Sequence, residues 1–219
     1  MNPFQFILLY LPSPKLNMQN IDFIKQPSLD YSIHPLIASR WSPRAYNSKP
    51  IESEKLQSIF EAARWAASSS NIQPWNFLVG FKGDEVYEKI FSGLVEFNQL
   101  WTINAPVLVL AIANTENAKG LPNNTYAYDL GQAVATLSIQ AAYEGIYCHQ
   151  MGGFDADAIT ASLIIPSNYK VLVVFTLGYR GDETELHPNL LKLELSPRVR
   201  KSSAEFVFTS AFGSKADFL

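Results

Sequence analysis

The sequence has little cysteine and no excess of positive charge, and each shortage excludes a class of protein. Cys148 is the only cysteine among 219 residues, which excludes an internal disulfide and a cluster of thiolate metal ligands. The 17 Lys and Arg residues against 20 Asp and Glu residues give a net charge of −3, so the chain lacks the basic field of a nucleic-acid-binding protein. A lone thiol fits a reducing compartment, and we expect the protein to be cytoplasmic.

The sequence also has no apolar run long enough to span a membrane. The stretch FQFILLYL, residues 4–11, is far shorter than the ~20 apolar residues that cross a bilayer. No Lys or Arg precedes it and no small-residue cleavage site follows it, so we expect neither a signal peptide nor a membrane partner. We therefore divide the chain into a peripheral N-terminal extension, residues 1–30, with Met18 as an alternative start, and a single domain, residues 31–219.

Motifs for catalysis by protein side chains are missing as well. The three histidines lie far apart, at 34, 149 and 187, and none belongs to an H-x-x-x-H or H-x-E pattern, so we expect no metal site. No G-x-S-x-G elbow, Walker loop or G-x-G-x-x-G fingerprint occurs. Cys148 and His149 are neighbours whose side chains would point to opposite faces of a strand, which favours structural roles for both. The sequence thus predicts no catalytic side chain.

What the sequence does contain is an alternation of helix and strand patterns. Apolar residues in segment 52–67 recur at i, i+3, i+4 and i+7, which predicts an amphipathic helix. A segment rich in small residues, 127–145, predicts a long helix with Gly145 as its C′ residue. We expect another helix over 84–95 and strands over 75–81, 106–113 and 169–179. Strands separated by helices predict helices packed around a sheet.

The chain changes character after Gly178 and becomes polar and mixed. This tail contains a cationic group at Arg198, Arg200 and Lys201, and then a short β-like piece, EFVF. The tail is too thin to fold alone, so it is either disordered or wrapped around another molecule. Its aromatic residues favour a partner subunit.

Three stretches have residues suited to binding an anion or a flat polar ligand, although each also has a simpler explanation. Arg40, Ser42 and Arg44 alternate, so an extended backbone would place two guanidiniums and a hydroxyl on one face; the alternative is a solvated basic loop. Paired glycines in HQMGGFD expose backbone N–H groups; the alternative is a turn before a helix that starts near Asp155. In SSSNIQPWNF the serines and the amide supply donors and acceptors, or simply stop a helix, and Pro74 favours an extended conformation at Gln73.

Taken together, these stretches resemble the nitroreductase family of FMN-dependent oxidoreductases. The resemblance rests on HPLIASRWSPRAY, EAARWAASSSNIQPWNFLV, YDLGQAVATLSIQAAYEGIYCHQMGGFD and SPRVRKSSAEFVF, which follow the family's order over roughly residues 33–210. The chain is most similar to the branch with R-W-S-P-R near its start and H-Q-M-G-G-F in its second half. The resemblance implies an α+β fold: an α/β/α sandwich around a mixed, mainly antiparallel sheet. It also implies an intertwined homodimer, in which the tail from about residue 180 wraps the partner subunit.

The resemblance also implies a cofactor site for FMN at the dimer interface. Arg40, Arg198 and Arg200 would neutralise the FMN phosphate, and Ser42 and Arg44 would follow the ribityl chain and the pyrimidine edge. Trp101 stands where some relatives have Lys, so the positive charge beside the flavin would fall mainly on Arg44; Ala67 replaces a usual Pro, which would loosen the serine loop. The remaining implied contacts are Ser68, Ser69, Ser70 and Asn71 from the partner subunit, Gly152 and Gly153 near N5 and O4, Asn98 at the pyrimidine edge, and Phe97, Trp101 and Tyr126 lining a substrate slot.

The function implied by the resemblance is hydride transfer from NADH or NADPH to a nitroaromatic, a quinone or a similar small oxidant by a ping-pong mechanism. Because the flavin supplies the chemistry, the protein has only to hold it and leave one ring face open. Two other readings remain open from the residues: a flavin-binding carrier or sensor without turnover, and an interaction protein that keeps the fold but binds no flavin.

Overall fold

The computed structural model describes residues 18–219, and side chains from residue 21 onward. FQFILLYL therefore lies outside the described residues. The described part contains the α-helices α1 Met18–Ile24, α2 Pro35–Ser39, α3 Ser53–Arg64, α4 Glu85–Ser92, α5 Glu96–Thr102, α6 Tyr126–Tyr143, α7 Ala156–Ser162 and α8 Pro188–Glu194. Its strands are β1 Trp75–Phe81, β2 Val107–Asn114, β3 Tyr147–Met151 and β4 Tyr169–Gly178.

The four strands form one sheet in the order β1-β2-β4-β3. Every pair of neighbours among these described strands is antiparallel. Strand β2 lies inside the sheet and is buried along nearly its whole length, as expected for a continuous apolar run covered on both faces. The α+β class is therefore confirmed.

The two faces of β2 pack against different helices, which makes the structure a three-layer sandwich. Val107 and Val109 belong to a core with residues of α3 and α6. Leu108 and Leu110 belong to a second core with residues of α4, α5 and α7. This division follows from the two-residue period of a strand, because alternate side chains point to opposite faces.

The C-terminal end of one helix agrees with the prediction from the sequence, and that of another differs from it. Helix α6 is followed by Gly145 with a φ of 72°, which confirms that glycine as the C′ residue, since the left-handed conformation costs a glycine little. The predicted helix over 84–95 is wrong beyond Ser92. The chain turns there through Gly93, whose close contact with the side chain of Ile159 leaves no room for a Cβ.

The ends of the described chain lie against the sandwich to different degrees. Ile21 of α1 is fully buried, and Asp22 forms an ion pair with Arg180 at 2.7 Å. The predicted β-like piece EFVF is wrong as a strand, because Ser203–Glu205 form a 3₁₀ turn and only Phe208 forms a β-bridge, to Lys215.

Among the described residues, no helix combines the length and the apolar character needed to cross a membrane. Whether residues 1–30 form a separate unit stays a prediction.

Candidate functional site

A groove of about 440 Å³ collects basic side chains from two distant parts of the chain. Arg40 enters it from the end of α2, and Arg198, Arg200 and Lys201 enter it from the tail. The rest of its wall includes Leu29, Tyr31, Ile33, Ile37 and Phe206, together with one acidic residue, Asp30. We call this the arginine groove. The structure thus brings together the three arginines that the sequence assigns to a phosphate.

The arginines of the groove have no direct carboxylate partner in the described part of the chain, although Asp30 also lines the groove. No ion pair there joins Arg40, Arg198 or Arg200 to a carboxylate. The pKa of Arg198 lies below its usual range, first because of burial and then because of the nearby charges of Arg40 and Arg200. Clustered cations without a counter-ion repel one another, so a bound anion would stabilise this arrangement.

The segment between Arg40 and Arg44 connects this groove to the body of the protein. Nη1 of Arg40 lies 3.4 Å from the hydroxyl oxygen of Ser42, which fits the predicted shared face. The backbone N–H of Arg44 donates to both carboxylate oxygens of Glu194, at 2.9 and 3.0 Å. Nε of Arg44 is buried without a hydrogen-bond partner. A buried donor without a partner is costly, so this atom is suited to an acceptor that the protein itself does not supply.

The carboxylate of Glu194 holds the backbone of the Arg40–Arg44 segment in place. It is 1% exposed and also accepts the backbone N–H of Ala45 at 3.2 Å. Burial raises its pKa, while the two backbone hydrogen bonds and the charges of Arg44 and Lys25 act in the opposite direction. Glu194 therefore orients the backbone of Arg44 rather than pairing with its guanidinium by hydrogen bonds.

His149 holds the same segment from the side of the sheet. Its Nδ1 lies 2.8 Å from the carbonyl oxygen of Pro43, and its ring packs against Trp101 with centroids 4.4 Å apart. The pKa of His149 is lowered to about 4, mainly by burial and further by the charges of Arg44 and Arg40, although the Pro43 contact opposes this. The imidazole is thus neutral at pH 7, and Nδ1 carries the proton that Pro43 accepts. This confirms the structural role expected for His149.

Trp101 does not line an open slot as the resemblance implies. Its side chain is 1% exposed and stacks on Tyr46 as well as on His149. The prediction for Trp101 is therefore wrong, because the ring fills the core between α5 and the sheet. Phe97, on the outer side of α5, is 45% exposed.

The serine loop, residues 68–71, is strained and is anchored to the start of α6. Ser70 and Asn71 have positive φ values of 50° and 55°, which side-chain-bearing residues rarely adopt and which cluster at functional sites. The N–H of Ser69 lies 3.2 and 3.3 Å from the two carboxylate oxygens of Asp129, which is 1% exposed. Gln73 also has a positive φ, 53°, so the extended conformation expected before Pro74 is wrong.

Hydrogen bonds explain why Gln73 departs from that expectation. Its N–H donates to the hydroxyl of Ser68 at 3.1 Å, and its side-chain amide donates to the carbonyl of Asn71 at 3.2 Å. The loop is therefore held in a compact form that leaves its serine and asparagine side chains towards the exterior.

The paired glycines and Asn98 meet at the other end of β3. The side-chain amide of Asn98 donates to the carbonyl of Gly153 at 2.9 Å, and a Cβ on Gly153 would lie 2.8 Å from that amide nitrogen. No described residue accepts a hydrogen bond from the N–H of Gly152 or Gly153. These two N–H groups are therefore available to a ligand, whereas the amide nitrogen of Asn98 already braces the turn.

The serine loop and the arginine groove lie towards opposite ends of α6. Asp129, in the first turn of α6, holds the loop. Ala142, in the last turn, lines a smaller cavity together with Arg40. At 1.5 Å per residue, these two positions are about 20 Å apart along the helix axis. No hydrogen bond joins the loop to the groove within residues 18–219.

Several residues around the site escape motif reading of the sequence. Glu194 and Asp129 are polar residues at helical spacing from buried apolar ones, Leu190 and Ala133, and a polar residue on the inner face of a helix is the signal that would find them. Lys25 has no such signal.

The fold and the site first define a class of protein: a three-layer α+β sandwich with a groove lined by arginines. Comparison then gives the family. The model of the Nitroreductase family matches residues 37–93 and 81–179, and this chain belongs to that family.

Individual relatives agree with this assignment. One solved structure, described as an oxidoreductase containing FMN, is 35% identical with a TM-score of 0.81 and covers 86% of this chain and 96% of that chain. A protein of Archaeoglobus fulgidus named as an NADH dehydrogenase/NAD(P)H nitroreductase is 30% identical over 69% of this chain and 87% of its own length. A similarly named protein of Ralstonia nicotianae is 28% identical over 69% and 86% of the two chains.

Proposed function

We propose that this member of the nitroreductase family is an oxidoreductase that uses FMN as its cofactor and NADH or NADPH as its reductant. The finer part of the proposal is that the oxidant is a nitroaromatic, a quinone or a similar small molecule, and that the two substrates react in turn by a ping-pong mechanism. The names of the two relatives and the FMN in the 35% identical structure support this proposal.

The observation that carries the proposal is the arginine groove. Arg40, Arg198 and Arg200 meet there without an ion-pair partner among the described residues. A phosphate monoester is an anion that such guanidiniums bind well, since their rigid donor forks match its oxygens. Lys201 adds a further positive charge at the rim. We therefore place the FMN phosphate in this groove.

Donors for the rest of the cofactor lie beyond the groove. Arg44, with its unpaired Nε, is suited to the pyrimidine edge, and its positive charge would favour the anionic form of a reduced ring. The free N–H groups of Gly152 and Gly153 are suited to ring acceptors such as N5 and O4, and Ser42 to the ribityl hydroxyls. Asn98 would act mainly by holding Gly153 in place, as its hydrogen bond to that carbonyl indicates.

The position of the serine loop supports a two-fold dimer. Tyr128, Gly131 and Ala135 are exposed along one side of α6, and small residues allow another helix to approach closely. A two-fold axis across this face would place the start of one α6 beside the end of the other. Ser68, Ser69, Ser70 and Asn71 of one copy would then reach the cofactor held by the arginine groove of the other, with the C-terminal tails embracing the partner.

The proposal is consistent with the expectation that no side chain acts as a catalytic acid, base or nucleophile. Bound FMN would supply the hydride chemistry, so the side chains need only bind the cofactor, orient it and bias the charge of its ring. His149 and Glu194 contribute by fixing the backbone of the Arg40–Arg44 segment. The same open ring face would take reductant and oxidant in turn.

The test is the visible absorbance spectrum of the purified protein before and after anaerobic addition of NADH or NADPH. We expect a flavin spectrum that bleaches with at least one nucleotide and returns when a quinone or nitroaromatic is added. A flavin spectrum that neither nucleotide changes would indicate a carrier or sensor. A colourless protein that FMN cannot reconstitute would contradict the proposal.

A further inference from the structure

Lys25, which follows helix α1, contacts both parts of the chain that form the arginine groove. Its Nζ donates to the carbonyl oxygen of Ser196 at 2.6 Å, two residues before Arg198. The same Nζ lies 4.8 Å from the ring centroid of Trp41, the neighbour of Arg40. Lys25 is 8% exposed, and a lysine so deeply buried is unusual unless its charge has a partner.

The backbone of Lys25 makes a second contact with the groove. Nη1 of Arg198 donates to the carbonyl oxygen of Lys25 at 3.1 Å and to that of Ala38 at 2.5 Å. Arg198 is therefore clamped between the end of α1 and α2, with its other guanidinium nitrogens free of hydrogen bonds to the described residues. The side chain of Lys25 fixes the position of the carbonyl that orients Arg198.

The charge of Lys25 also acts on the carboxylate below Arg44. Glu194 holds the N–H groups of Arg44 and Ala45, and Lys25 lies close enough to favour its ionised form. Without Lys25, the negative charge of Glu194 would offset the positive charge of Arg44. Lys25 therefore adds to the positive charge around Glu194.

We propose that Lys25 is a positioning residue for the cofactor phosphate. It holds the guanidinium of Arg198 in place and compensates part of the negative charge of Glu194. The segment before the family match is thereby part of the binding site. This inference rests on the proposed FMN function. It assigns a role to a residue twelve positions before the first residue of the family match, residue 37.

The experiment compares the dissociation constants of FMN and riboflavin, measured by quenching of flavin fluorescence on the full-length apoprotein. Riboflavin lacks only the phosphate, so the ratio of the two constants reports the phosphate contacts alone. We expect Lys25→Met to weaken FMN about tenfold or more, as for one charge-assisted hydrogen bond, and to leave riboflavin nearly unchanged. Lys25→Arg, which keeps the charge and the donor, should restore most of the preference for FMN.

Lys55→Met is a matched control. Nζ of Lys55 also donates to a backbone carbonyl, that of Glu144 at 2.8 Å, and lies 5.2 Å from the ring centroid of Tyr179. These are the same two kinds of contact, and Lys55 does not line the groove. The control should keep the wild-type ratio of the two dissociation constants.

Each other outcome overturns the inference in a recognisable way. If Lys25→Met weakens FMN and riboflavin equally, Lys25 serves only general stability. If it changes neither, Lys25 does not act on the site. If the wild-type protein itself shows no preference for FMN over riboflavin, the phosphate site of the proposed function fails, and the role of Lys25 with it. If the methionine variant does not fold, Lys25→Gln replaces it, because glutamine keeps an N–H donor but loses the charge. The ratio of the FMN and riboflavin dissociation constants is then measured on that variant.

Discussion

At the scale of single residues, Arg40 offers the most direct test of the arginine groove. Among the described residues, its guanidinium donates a hydrogen bond only to the hydroxyl of Ser42, so its removal should disturb the free protein little. We expect Arg40→Ala to weaken FMN binding by about 1.5–3 kcal/mol, the usual contribution of a hydrogen bond to a charged group. Riboflavin binding should be nearly unchanged, and a calorimetric titration measures both.

The control for Arg40 is an arginine that does not line the arginine groove. Arg64→Ala removes an exposed guanidinium whose partner is Glu61, on the outer side of α3, and should leave both affinities as they are. An equal loss of FMN affinity in both variants would mean that net charge, not the groove, attracts the cofactor.

His149 makes the stability of the protein depend on pH. Its pKa is about 4 in the folded state against 6.5 for the free side chain, so the unfolded chain takes up the proton first as the pH falls. The contribution of His149 to the free energy of unfolding should therefore be constant above pH 7. It should decrease between about pH 6.5 and 4, by up to about 3 kcal/mol. Urea unfolding at a fixed protein concentration across this range measures the decrease.

His149→Asn separates this effect from other titrations. Asparagine keeps an N–H donor for the carbonyl of Pro43 but has no proton to gain. We expect a shallower decrease of the unfolding free energy below pH 6.5 in the variant. If the free energy of unfolding decreases equally with falling pH in the two proteins, His149 is not the cause of the decrease.

The sequence indicated a role for a residue where its charge and its spacing from other residues pointed to one. The resemblance assigned Arg40, Arg198 and Arg200 to a phosphate, and the structure brings them into one groove, while their role stays a prediction. The roles of Lys25 and Glu194 could not be predicted, because their contacts join positions 171 and 150 residues apart. The core position of Trp101 also depends on packing that a local motif does not reveal.

At the scale of elements, the end of α7 has a residue that is poorly suited to its conformation. Ile164 follows α7 with a φ of 54° and is 86% exposed, although glycine is preferred at this position. We expect Ile164→Gly to raise the free energy of unfolding by about 0.5–1 kcal/mol, because the strain of a β-branched residue is removed and little packing is lost. Chemical denaturation measures the gain.

Ile164→Ala is the control for this prediction. Alanine removes the exposed apolar side chain but keeps a Cβ in the left-handed conformation. It should recover less of the stability than glycine does. If both variants gain equally, the exposed side chain and not the backbone conformation is the source of the cost.

The elements themselves were mostly predictable, since their patterns are local. Strand β1 matches the predicted range 75–81, β2 is shifted by one residue at both ends, and β4 ends one residue earlier than predicted. The division between α4 and α5 was not predictable, because it depends on Gly93 meeting the side chain of Ile159 on another helix. The positive φ at Gln73 likewise depends on the hydroxyl of Ser68.

At the scale of the whole molecule, the proposed dimer predicts that the exposed side of α6 is essential for cofactor binding. Ala135 is exposed in the middle of this side, and an arginine there would place like charges on both sides of a two-fold axis. We expect Ala135→Arg to be monomeric by light scattering and to bind FMN much more weakly. Ala158→Arg, on the exposed side of α7, is the control and should remain dimeric.

The proposed arrangement of two copies comes only from the resemblance. Composition and periodicity give the layers of the fold, because each layer buries its own apolar face. They do not say that the serine loop and the arginine groove lie towards opposite ends of α6, which follows from contacts such as that between Ser69 and Asp129.

This separation along α6 has a genetic consequence. If every site takes its groove from one copy and its loop from the other, two defective proteins should repair each other. A mixed dimer of an Arg40→Ala copy and an Asn71→Ala copy would place both substitutions in one site and leave the other site wild-type. Mixing the two inactive proteins after subunit exchange, or expressing both in one cell, should therefore restore activity that neither has alone.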